Sequence, residues 1–264
     1  MQTGISTASL FLRYNTEDAL KFLNTNGVKT AEVFFESYCE YNKAFGEFLK
    51  TCKGNMDIHS VHTLTTQFEP QLYSVNERAQ NDSFKILNGV MQASKEIGAK
   101  YYTFHGGARI KRTPLVLDFH RIGKITQQII NTCKSYGVTL AYENVHWSYY
   151  NYVGFYKSLK ERTEGLKATL DIKQARQSGI DYSQFIKEMG EDIVTVHLSD
   201  IDDNGKMCLP GKGVTDFNDL FKRLSNVGFD GALILEVYKN DFTELGELFQ
   251  SLEFVNETAY KIFK

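Results

Sequence analysis

A short apolar run followed by a longer amphipathic stretch recurs eight times along this chain. The apolar runs are "QTGIST", "TAEVFFE", "MDIHSVH", "YYTFHGG", "VTLAYEN", "KATLDI", "IVTVHLSD" and "ALILEVY". Runs of that length bounded by turn signals read as buried strands, and the stretches between them carry helical periodicity. Five of the helical stretches stop at a glycine (Gly27, Gly98, Gly137, Gly190, Gly228) just before the next strand, where a left-handed residue ends a helix. The 264 residues allow about 33 per cycle, the size of one strand-plus-helix unit. Eight such units predict a (β/α)8 TIM barrel. A doubly wound open sheet is the rival, but "HGGARI" after the fourth strand lacks the spacing of a nucleotide-binding turn. Three prolines and no Ser/Gly-rich linker predict one domain over residues 1–264.

Composition narrows the function. With 42% hydrophobic and 23% charged residues and a net charge of −2, the chain has material for a large core and no global attraction to nucleic acid or anionic membrane. No apolar run reaches the roughly 18 residues of a membrane span. "MQTGISTASL" lacks the charged and apolar regions of a signal peptide. Four scattered cysteines without a CxxC pair read as free thiols in a cytoplasmic protein.

The stretch "GVTLAYENVHW" poses the chemical question. An apolar strand ends in Glu143, and an ionised carboxylate in such a setting needs a partner. In a TIM barrel the C-terminal strand ends point into one mouth. Here they carry His62, His105, Glu143, Asp171, His197 and Glu236. The fifth to eighth strands supply Glu143, Asp171, His197 and Glu236, spaced 28, 26 and 39 residues apart. Three carboxylates converging on one imidazole call for a divalent cation, the more so as no lysine or arginine is read at those strand ends. An oxygen-rich set with one nitrogen suits one Mn²⁺, Co²⁺ or Mg²⁺ better than a structural thiolate zinc site. A six-coordinate ion would keep two positions for a carbonyl and a neighbouring hydroxyl of a sugar. His62 and His105 are expected to contact substrate or metal. His59, at odd spacing from His62, is expected to face away as a satisfied histidine.

"SVHTLT", "FHGG", "YENVHW", "LDIKQA", "VHLSD", "LPGKG" and "ILEVY", taken in order, resemble the xylose isomerase-like TIM barrel superfamily. It includes ketose 3-epimerases, other sugar isomerases and endonuclease IV-type repair nucleases. The resemblance implies that Glu143, Asp171, His197 and Glu236 bind one metal, Mn²⁺, Co²⁺, Mg²⁺ or Zn²⁺. It also implies that Glu143 and Glu236 exchange a proton across one substrate carbon, giving a sugar epimerase or isomerase. Homo-oligomers are common in the family.

Two departures bear on this. Gln174 stands where epimerases often have histidine after the sixth-strand Asp, so it is expected to hydrogen-bond a substrate hydroxyl without moving a proton. The nucleases' three-zinc cluster uses that histidine and an Asp-x-His after strand seven. No histidine follows His197 here, which disfavours nucleic acid as substrate. A lyase or dehydratase using the same enolate chemistry, and a non-catalytic metabolite binder, are further alternatives. Trp147 is expected to wall the pocket, and the loops "TQFEPQLYSVN" and "ARIKRTPLVLD" to set specificity.

Overall fold

The structure is a computed structural model that describes residues 1–64, 68–109 and 116–263. Eight parallel strands close into a barrel: β1 (Gln2–Ser6), β2 (Thr30–Phe35), β3 (Asp57–Thr63), β4 (Tyr101–Phe104), β5 (Thr139–Glu143), β6 (Lys167–Asp171), β7 (Ile193–Leu198) and β8 (Ala232–Leu235). Each pairs with its sequence neighbours, and β1 closes the ring on β8. This is the predicted TIM barrel.

Among the described residues eight helices surround it: α1 (Thr16–Thr25), α2 (Lys43–Cys52), α3 (Glu77–Ile97), α4 (Phe119–Ser135), α5 (Phe155–Lys160), α6 (Tyr182–Met189), α7 (Phe217–Asn226) and α8 (Gly246–Tyr260). Their starts are written locally. Asn42, Asn76, Asp118, Asp181 and Asp216 each accept a backbone N–H of the following first turn, satisfying donors that have no partner within the helix. At the far end of α3, Gly98 takes φ +84° and its N–H bonds Ser94 and Lys95 carbonyls. Two short helices, Glu69–Leu72 and Ile172–Gln177, and a small hairpin (Asp200–Ile201 with Met207–Cys208) decorate the C-terminal face. Among the described residues no helix is long and apolar enough to cross a membrane.

The barrel interior carries a polar layer under its mouth. Glu32, Thr103 and Thr169, from alternate strands β2, β4 and β6, are linked by the Thr103 hydroxyl, 3.0 Å from Glu32 Oε2 and 3.3 Å from Thr169 Oγ1. Alternate strands contributing to one layer is the usual filling of such barrels.

One sequence expectation is corrected here. His59 does not face away. Pairing between β2 and β3 slips by one residue, Ala31 opposite Ile58 but Glu32 opposite Ser60, so His59 is the extra residue of a β-bulge. Both His59 and Ser60 then point inward. The Ser60 hydroxyl donates to Glu32. The His59 ring crosses the barrel to the Val194 carbonyl and Thr195 hydroxyl, both at 3.0 Å. It is a satisfied core histidine, and burial lowers its pKa to about 4.

Candidate functional site

The four strand-end residues meet at one atom. His197 Nδ1 lies 2.8 Å from Glu236 Oε2, 3.1 Å from Glu143 Oε1 and 3.9 Å from Asp171 Oδ2. Asp171 and His197 are each held from behind. Asp171 caps the short helix Ile172–Gln177 by accepting the Gln174 N–H on Oδ1, which leaves Oδ2 turned toward His197. Asn144 locks the ends of β5 and β6: its amide donates to the Asp171 carbonyl and accepts the Asp171 N–H, both at 2.9 Å. On the other side of the His197 ring, Nε2 lies 3.0 Å from Glu32 Oε1.

Glu32 is the residue that strand-end reasoning missed. It is fully buried and gathers Ser60 and Thr103 hydroxyls on Oε2 and the His62 and His197 rings on Oε1. Burial alone would raise its pKa. The His197 and His62 rings outweigh that and hold the carboxyl well below its usual range. The available signal was a glutamate inside the apolar run "TAEVFF". Glu69, also fully buried, was missed too. It accepts the Tyr102 and Thr63 hydroxyls and the backbone N–H groups of His105 and Gly106. This fixes the turn after β4, where a Cβ on Gly106 would overlap the Tyr142 hydroxyl.

His105 bridges two carboxylates, with Nε2 3.0 Å from Glu143 Oε2 and Nδ1 3.4 Å from Glu69 Oε2. Burial disfavours its charge, but Glu143 and Glu69 prevail and its pKa is pushed up to about 10. The same rings depress Glu143 against its burial: His105 first, then His197. A group raised in the folded state stabilises most below its unfolded pKa, and that contribution fades as pH rises through the folded value. Chelator-treated protein should therefore lose stability between about pH 6.5 and about pH 10. Urea midpoints across that window should fall more steeply for the wild type than for His105→Gln. Parallel curves would exclude a charged His105.

The residues named from sequence converge. A cavity of about 260 Å³ opens above the His197 cluster, and His62, His105, Glu143, Gln174 and Glu236 supply polar groups to its wall. Trp147 stacks on His105, ring centroids 6.1 Å apart; Phe11, Phe34 and Tyr238 line the cavity as well. Gln174 has a fixed orientation: its Oε1 accepts the His146 backbone N–H and lies 2.6 Å from His146 Nδ1. A backbone N–H only donates, so the amide oxygen must be the atom facing it. The proposed specificity loops fall partly at residues 66–67 and 110–115, outside the described residues.

A second expectation fails. A lysine does accompany the strand ends: Lys173, two residues past Asp171, is buried with Nζ 3.9 Å from Asp171 Oδ2. The backbone turns into a helix directly after β6, which brings the side chain back over the site. Burial pushes the Asp171 carboxyl up, Lys173 pulls it back, and Glu143 and Glu236 add to the rise.

Comparison with known proteins agrees with this architecture. No curated protein sequence matches the chain. Among solved structures, a D-tagatose 3-epimerase-like protein superposes over 99% of this chain and 98% of its own at 15% identity and a TM-score of 0.80. The IOLI protein, solved with a zinc atom, covers 100% of both chains at 18% identity and 0.78. L-ribulose 3-epimerase covers 99% of this chain and 96% of its own at 15% identity and 0.77. At such identities the likeness establishes the fold. The family profile described as xylose isomerase-like TIM barrel matches residues 20–258, and the chain belongs to that family.

Proposed function

We propose that this chain is a metal-dependent isomerase or epimerase of a sugar or sugar derivative. The observation that carries the proposal is the crowding at His197 Nδ1. A ring nitrogen has room for one proton, yet carboxylates of Glu143, Glu236 and Asp171 stand 2.8–3.9 Å from it. Lys173 and His105 offset charge on Asp171 and Glu143 from outside the cluster, but the single proton of Nδ1 cannot bond three carboxylates at once, whereas a divalent cation shared by all four side chains would draw them together. Donor atoms of Glu143, Asp171 and His197 lie within 4.8 Å of one another, as do those of Glu32, His62, His197 and Glu236. His197 is common to both groups and joins Glu236 to the first, and three oxygen donors with one nitrogen favour Mn²⁺, Co²⁺ or Mg²⁺, with Zn²⁺ also accommodated.

A bound divalent ion would supply charge stabilisation to the oxygens of an enediolate. The chain's own groups do the rest. Glu143 and Glu236 reach the cluster from β5 and β8, with β6 and β7 between them. One removes a proton beside the carbonyl and the other returns it, or one serves both carbons in aldose–ketose isomerisation. His105 orients Glu143 through Oε2. Gln174, its oxygen engaged by His146, presents its NH₂ to a substrate oxygen. Trp147, Phe11 and Phe34 exclude water and offer flat faces to the sugar's C–H surface. The ketose 3-epimerases among the structural neighbours support this reading.

The nuclease alternative is weakened by the loop after β7. Asp200 spends its carboxylate on the backbone N–H groups of Ile201, Gly211, Gly213 and Thr215. Asp202 spends its own on Asn204 and Lys206. Neither acid is turned to the mouth to extend a metal cluster.

The test is elemental analysis of protein purified without chelator, followed by a ketose and aldose screen. About one Mn, Co, Mg or Zn per chain is expected. Two or three zinc ions would favour the nuclease instead, and no uptake even after reconstitution would refute metal dependence.

A further inference from the structure

Lys173 lies in the short helix that Asp171 caps and is 2% exposed. Its ammonium carries three donors and makes no hydrogen bond. The Asp171 carboxylate, with Oδ2 at 3.9 Å, and the Tyr238 ring, with its centroid at 3.9 Å, face it, and the Glu236 carboxylate also acts on its charge. All three belong to the walls of the His197 cluster. Asp171 closes β6, and Tyr238 follows Glu236 by two residues past β8. The ammonium thus reaches across the end of β7, over the side of the site where Asp171 and Glu236 arrive.

The separation is informative. At 3.9 Å the ammonium neutralises Asp171 without a hydrogen bond to it. Oδ1 is committed to the Gln174 N–H. Oδ2 is therefore charge-compensated while keeping its lone pairs for the site. A fully hydrogen-bonded lysine would have taken that oxygen out of use. The face of Tyr238 supplies favourable electrostatics on the other side.

We propose that Lys173 is a positioning residue for the metal centre: an internal cation that holds the carboxylates together when the ion is absent and opposes the ion when it binds. This rests on the metal reading above. The charge is local and desolvated, so its repulsion of a divalent ion is poorly screened. Its cost is weaker binding, and its benefit is a mouth already assembled before the ion arrives.

The experiment is a calorimetric titration of Mn²⁺ into chelator-stripped wild type and Lys173→Met, with melting curves of both. Methionine conserves most of the volume and removes the charge. The variant should bind Mn²⁺ roughly tenfold or more tightly. Its metal-free form should melt about 5 °C or more lower, and saturating Mn²⁺ should narrow that gap by linkage. Equal or weaker binding in the variant, with uptake by the wild type intact, would overturn this role alone. Uptake by neither protein, tested also with Zn²⁺, would overturn the role and the metal reading together. If Lys173→Met does not fold without metal, refolding it in Mn²⁺ decides. Recovery supports the proposal, and no recovery means that Lys173 serves the fold whatever the ion does.

Discussion

Glu236→Gln is expected to lower turnover by roughly 10²–10⁴-fold, the usual scale for loss of a general acid–base group, with the fold intact. The substitution is isosteric, and Glu236 sits at the end of β8 with Oε2 2.8 Å from His197 Nδ1. An amide oxygen can still face a cation, so part of the ligand field survives. An amide does not take up a proton at neutral pH, so proton exchange with Glu143 is lost. The measurement is kcat on the ketose or aldose that the screen identifies, at saturating metal, with circular dichroism as the fold control. Wild type should also wash solvent deuterium into the substrate carbon, and the variant should not. A fully active, folded Glu236→Gln would sink the proton-transfer mechanism.

Glu32→Ala is expected to cost about 3–5 kcal/mol of stability, the range for removing one partner of a buried charge pair. At about 2–4 °C per kcal/mol for a chain of this size, the melting temperature should fall on the order of 10 °C. Three donors, Ser60, His62 and Thr103, converge on this carboxylate from β3 and β4, the His197 ring stands 3.0 Å from it, and alanine would remove the shared partner of all four in a dry interior. Glu32→Gln, which preserves volume and one acceptor, should lose less. Urea denaturation of the metal-free proteins separates the cases. A loss under about 1 kcal/mol in Glu32→Ala would mean that water fills the gap and satisfies the donors.

The residues that were readable from sequence share one property. Glu143 and Asp171 close their strands, while His62, His197 and Glu236 lie within a residue or so of a strand end. Each follows an apolar run where a polar side chain is conspicuous, and barrel closure alone brings them together. Gln174 and Trp147 follow strand ends closely enough to share the mouth. Glu32 was not readable because it sits within β2, where the period-two pattern does not say that a carboxylate faces a full set of donors from other strands. Lys173 was not readable because its return to the site depends on the short helix Ile172–Gln177 that follows β6 directly. His59 was misplaced by a backbone event: alternation predicts facing only while the register holds, and a bulge leaves no residue signature. Glu69 acquires its role only through contacts with β3 and β4 that the chain makes at a distance.

The slip at His59 has a counterpart. Pairing of β6 with β7 also skips a residue, Ala168 opposite Ile193 but Thr169 opposite Thr195, and the two bulges face each other through the His59 bonds to Val194 and Thr195. In the language of crystals, the barrel wall contains a matched pair of dislocations, pinned to one another across the core. Above them β3 and β7 run in the phase that aims His62 and His197 inward. Below them each strand is free to keep another phase.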